Sequence, residues 1–131
     1  MRRIVYWIPF TVYSAVLVYL LLSPSAQLPE YLLEQSDKIL HLISFAGLKF
    51  FYLTAVSRFY QKSDLNTSIL IHGFLLLSIS GGIIEVLQSV VPGRNASLSD
   101  FLFNNIGLVS GLLVFILFRY VLIVLKNWDF F

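Results

Sequence analysis

Four apolar runs dominate this chain, at approximately residues 4–22, 39–59, 69–91 and 101–125. Each is close to the ~20 residues that an α-helix needs to cross a bilayer. The expectation is therefore an all-α fold, an integral membrane four-helix bundle in which residues 1–131 form a single transmembrane domain. Composition agrees: 58% of the residues are hydrophobic and only 12% are charged, more Phe, Leu, Ile and Val than a soluble core of this length can hide. Arg2 and Arg3 precede the first run as they would in a secretion signal. That run is longer than the 7–15 residues usual for a signal, and Pro24 spoils the small-residue cleavage site, so it reads as a retained helix.

The charges set an orientation. With the N-terminus in the cytoplasm, the inside carries Arg2, Arg3, Arg58, Lys62, Arg119 and Lys126, while the outside carries Lys38 and Arg94. This excess satisfies the positive-inside rule and predicts that both termini are cytoplasmic. The basic residues form no patch, which argues against a nucleic-acid partner. With no Cys and two His, the chain has no thiolate site and no His-x-x-x-His pair, so neither a metal nor another cofactor is expected.

In this topology the unusual polar residues gather at one end. Asp37 and His41 lie at the outer start of the second helix, and Glu85 and Gln88 lie near the outer end of the third. Arg94 is in the outer turn, and Asp100 and Asn104 open the fourth helix. Glu85 is the most telling of these, because an ionisable residue within hydrocarbon costs roughly 2.5–3.5 kcal/mol or more and marks a functional site by default. Six residues separate it from Val91, roughly 9 Å of depth at 1.5 Å per residue, which predicts a shallow pocket rather than a midplane transport site. Gly81, Glu85 and Gln88 fall within about a 120° arc of their helix, and Asp100, Asn104, Gly107 and Gly111 within about a 60° arc of theirs. Asp37 and His41, four residues apart, share a helix face. The three stripes are expected to meet inside the bundle. Lys49 lies deeper and, because helical side chains lean toward the helix N-terminus, is expected to reach up toward Glu85.

These residues carry a family resemblance. Asp37-x-x-x-His41, Glu85-x-x-Gln88, Pro92-Gly93-Arg94 and Asp100-x-x-x-Asn104-x-x-Gly107-x-x-x-Gly111 resemble, in order and spacing, the signature of the VanZ-like membrane proteins. The resemblance implies a small multi-pass protein of the bacterial cell envelope and inner membrane. Some members of that family are associated with resistance to the glycopeptide teicoplanin. It supplies no reaction, and Lys49 departs from the apolar residue expected at its position.

Each residue also has a bland reading. Ser97-Leu98-Ser99-Asp100 fits a capping box, with Asp100 serving the first amides of its helix, and Ser36 or Asp37 would cap the second helix in the same way. Arg94 has Asp100 or Asp37 as candidate ion-pair partners, and Gly107-x-x-x-Gly111 is a helix-packing motif. The functional reading is anion recognition by Asp37, His41, Glu85, Gln88, Arg94, Asp100 and Asn104. Two helix N-termini point at the outer rim, and Arg94 offers a planar fork for phosphate or carboxylate. The expected partner is a membrane lipid or a cell-wall precursor, with self-association into a homo-oligomer left open. No residue is assigned a catalytic role; Glu85 and His41 are the candidates in the alternative of an intramembrane enzyme using them as acid and base. A third alternative is a structural subunit of a membrane complex, in which the polar stripes act as helix glue.

Overall fold

Local chemistry sets where each helix starts and stops. The computed structural model describes residues 4–24, 37–60 and 66–128, and within them four long helices and no strand. A 3-10 turn at Ile4–Trp7 leads into α1, Ile8–Leu22. Pro9 occupies its first turn, where a missing N–H costs no helical bond. α1 ends at Ser23, whose ψ of 138° is extended, because the following Pro24 disfavours helical backbone in the residue before it.

The remaining helices are α2 (Asp37–Tyr60), α3 (Thr67–Gln88) and α4 (Leu98–Trp128). Asn66 caps α3, its Oδ1 accepting the Ile69 N–H at 2.9 Å. Ser97 caps α4, its Oγ accepting the Asp100 N–H at 3.4 Å and its carbonyl the Phe101 N–H at 3.1 Å. α3 stops at Gln88, short of the expected 91. Bonds from Ser89, Val90 and Val91 back to residues three earlier tighten the chain, and Pro92 bars Val91 from helix. α4 begins earlier than the expected 101 because the cap is Ser97, and it runs about 46 Å at 1.5 Å per residue. All four helices are long and apolar enough to cross a membrane.

Side-chain contacts fix an up-down-up-down order. Tyr13 of α1 donates to the Ser44 carbonyl at 3.0 Å, while Phe10 packs on Tyr52, so α1 and α2 are antiparallel. Gly73 and Gly81 of α3 lie against Tyr52 and Phe45 of α2, again antiparallel. α4 then runs parallel to α2 and packs on it most closely. A Cβ added at Gly107 would overlap the Leu42 carbonyl oxygen, and one at Gly111 the Ala46 carbonyl oxygen. This is the backbone approach that a small-xxx-small face permits. Phe45, Leu48, Leu77 and Leu108 fill the centre, with Leu17, Leu21 and Ile84 beside them. Ile79, Ile83 and Val86 of α3 and Leu113, Leu117 and Val121 of α4 are exposed, an apolar exterior suited to lipid. One end of the bundle thereby brings together the close of α1, the start of α2, the close of α3 and the start of α4.

Candidate functional site

At that end three side chains from three helices meet. The close approach of α2 and α4 at Gly107 sets His41 beside Asn104, and antiparallel α3 brings in Glu85. The His41 Nδ1 lies 2.8 Å from Asn104 Oδ1 and 3.4 Å from Glu85 Oε1. Asn104 Nδ2 donates to Glu85 Oε1 at 3.1 Å. His41, Glu85 and Asn104 are 2%, 5% and 0% exposed, so this network is sealed within the helices. The second carboxylate oxygen, Oε2, accepts the Ser97 N–H at 3.5 Å.

That last contact revises the capping expectation. In a capping box the carboxylate three residues into the helix reaches back to the cap N–H. Here Asp100 does not; its Oδ1 instead accepts from Ser99 Oγ at 3.5 Å. Glu85, from a different helix, takes the cap N–H. The site is also shallower than expected, because α3 ends at Gln88 and Glu85 sits one turn, about 4.5 Å, from the end.

Gln88 and Arg94 turn away from the network toward α1. Gln88 Nε2 donates to the Leu21 carbonyl at 2.9 Å. Arg94 reaches the Leu20 carbonyl through Nη2 at 3.3 Å and the Ser23 carbonyl through Nε at 3.5 Å. Both therefore serve carbonyls that a helix C-terminus leaves unpaired. Of the two candidate partners for Arg94, Asp100 does not pair with it; the basic–acidic side-chain contact among the described residues is His41 Nδ1 to Glu85 Oε1. Arg94 is aimed by a tight turn in which its N–H returns to the Val91 carbonyl at 3.1 Å. Gly93, at φ 75°, takes the left-handed position after Pro92 that a type II turn requires. Asp37 opens α2, but its side chain, like Ser36, lies outside the described residues, so its pairing with Arg94 does too.

Lys49 does not reach Glu85. It is 1% exposed, and its Nζ points the other way, donating to the Leu70 carbonyl at 3.4 Å near the start of α3. The Tyr52 and Phe74 rings lie 5.5 and 6.0 Å from it, a cation–π setting that replaces a counter-ion. Local lean toward the helix N-terminus was outweighed by available partners: a carbonyl and two aromatic faces on one side, a fully engaged carboxylate on the other. Sequence reasoning also missed the 2.7 Å bond from Ser78 Oγ to Asn105 Oδ1. A polar Asn within an apolar run was the available signal. The carbonyl acceptors of α1 carry no side-chain signature at all. Among the described residues no group of three or more His, Cys, Asp or Glu is placed to hold a metal ion.

Four apolar spanning helices enclosing a polar network near one end define a multi-pass membrane protein. The model of the VanZ/LLP1 family matches residues 5–119, and the chain belongs to that family. No curated protein and no solved structure matches it.

Proposed function

We propose that this protein binds an anionic lipid-linked or peptide cell-wall component at the polar end of its bundle. In this reading that end lies at the outer leaflet of a bacterial inner membrane, with both termini cytoplasmic. The observation that carries it is the buried Glu85–His41–Asn104 network, tied through the Ser97 N–H to the same α3–α4 connection that holds Arg94. Polar groups are expensive at this depth, and four helices could have packed without them. Arg94 has five N–H donors; two make long contacts to α1, leaving the rest for a phosphate or carboxylate. Asp37 and Asp100 temper the local positive charge. A protein holding such a component at the outer face would also bear on the access of glycopeptides such as teicoplanin to their targets.

Mass spectrometry of co-purifying lipids and cell-wall fragments tests this. The unaltered protein should carry a phosphate- or carboxylate-bearing molecule, and Arg94→Ala should fold but lose it. A modest drop in thermal stability is expected either way, since the variant also loses two contacts to α1. An unaltered protein that carries no such molecule would leave the structural reading in its place. The alternative of acid–base chemistry by Glu85 and His41 draws on their 3.4 Å contact. Glu85→Gln would abolish such an activity but only weaken a binder.

A further inference from the structure

As the helices stand, a ligand at the polar end cannot touch the network, because His41, Glu85 and Asn104 are almost wholly enclosed. An element must move for binding to reach them, and α1 is the one placed to do so. Of the four long helices it alone supplies no member of the network. α1 touches α2 through Tyr13 and α3 through Gln88, while α4 touches the same two helices through Gly107 and Asn105. α1 and α4 therefore flank the α2–α3 pair from opposite sides, and α1 closes the remaining wall. Its two ends are held differently. The inner part is clamped by the Tyr13 bond to the Ser44 carbonyl at 3.0 Å and by ring contacts of Tyr13 with Phe51 and of Trp7 and Phe10 with Tyr52. At the polar end, the side-chain hydrogen bonds that reach it from elsewhere among the described residues come from Gln88 and Arg94. The Arg94 contacts, at 3.3 and 3.5 Å, are long beside the about 2.7–3.2 Å usual for such bonds.

We propose that the last turns of α1 form a lateral gate, unlatched by an anion on Arg94, and that the ligand is a lipid-linked phosphate rather than a free peptide. This rests on the binding reading above and narrows its chemistry. Nε and Nη2 share one edge of the guanidinium. When that group turns to hold an oxyanion at about 2.7–2.9 Å, both α1 contacts go together. Leu17 and Leu21 can then leave the core at little cost, because acyl chains are as apolar as the side chains they replace. The opening faces the bilayer, since Val16, Val18 and Tyr19 of α1 are exposed. A headgroup entering there meets Glu85, His41 and Asn104 while its chain stays in hydrocarbon. The clamp at Tyr13 is the pivot. From Tyr13 to Leu22 is an arm of roughly 14 Å, so a swing of roughly 20° moves its end by about 5 Å.

The chain has no cysteine, so paired nitroxide labels can follow the gate in the full chain. Tyr19→Cys with Leu102→Cys reports the polar end, and Val12→Cys with Val114→Cys reports the inner part, all at exposed positions. Double electron–electron resonance reads both distances in the delipidated protein, returned to nanodiscs of a phosphate-free galactolipid. To these are added phosphatidylglycerol, a polyprenyl phosphate, or soluble glycerol 1-phosphate. The polar-end distance should lengthen by about 5 Å with at least one lipid-linked phosphate, and the one that acts identifies the source. It should not respond to glycerol 1-phosphate, and the inner distance should hold throughout. Arg94→Ala should broaden the polar-end distance toward the open value in galactolipid alone and abolish the response to lipid. The proposal is overturned by a polar-end distance unmoved by both lipids, by equal opening with glycerol 1-phosphate, by an inner distance that moves as well, or by a sharp closed distance in Arg94→Ala. If the gate stays shut yet Arg94→Ala still sheds a co-purifying anion, binding stands and the gate falls. If the unaltered protein retains no anionic molecule, both fall.

Discussion

Glu85 is a carboxyl group inside a membrane-spanning helix, and it is tolerable there because Asn104 Nδ2 and the Ser97 N–H donate to it and His41 Nδ1 lies 3.4 Å away. Lys49, the other buried charge, makes do with one long hydrogen bond and two ring faces. These are separate solutions to the same desolvation cost, and they share no partner. Glu85→Gln should destabilise the bundle by about 1–3 kcal/mol, because a donor-bearing amide now faces groups that themselves donate. Lys49→Met, which keeps the stem and removes a buried charge held by one long hydrogen bond and two ring faces, should be neutral or stabilising. The double variant should equal the sum within about 0.5 kcal/mol. Unfolding titrations in detergent would read this, and rescue of one change by the other would restore the Lys49–Glu85 pairing that the sequence suggested. That error is instructive. The facing of Glu85, His41 and Asn104 followed from helical periodicity, which is geometric. The partner of Lys49 depended on competition among acceptors, and a backbone carbonyl such as that of Leu70 leaves no trace in the sequence.

Among the elements, α2 and α4 form the frame. Gly107 and Gly111 let their backbones touch at Leu42 and Ala46, and the network hangs one turn beyond that contact. Gly111→Val should cost about 1–3 kcal/mol by overpacking, or prevent the bundle from forming. Gly82→Ala is the control, since its added methyl would meet Phe101 at an ordinary 3.4 Å. Equal tolerance of both in detergent unfolding would mean that the α2–α4 contact is not what positions the site. Helix existence and facing were legible here because spans and small-residue spacing are periodic signals. Helix ends were less so. α3 closes early and α4 opens early because the Val91–Arg94 turn and the Ser97 cap act over single residues, below the resolution of an apolar run. Gln88 and Arg94 stood out in the sequence as ligand contacts; in the structure both also hold the end of α1, a role that only the packing of that helix reveals.

For the whole molecule, orientation governs what the polar end can meet. The chain has no cysteine, so single cysteines report it cleanly. One at Asn95, exposed in the turn, should react with an impermeant reagent added to intact cells, and one at Thr67, exposed at the opposite end, should not. Labelling in the reverse sense would put the polar end in the cytoplasm and remove the cell-wall reading. The partnership of His41 and Asn104 also has a consequence in time. They are 63 residues apart in the chain, so at synthesis rates of roughly 5–20 residues per second α2 waits about 3–13 s for the helix that completes it. During that interval His41 enters the bilayer, or lingers at the insertion machinery, without the Asn104 amide it later meets, whereas the Leu70 carbonyl that accepts Lys49 follows only 21 residues behind it. A chain stalled before α4 would leave α2 poorly anchored, a signal by which quality control can tell an unfinished copy from a complete one.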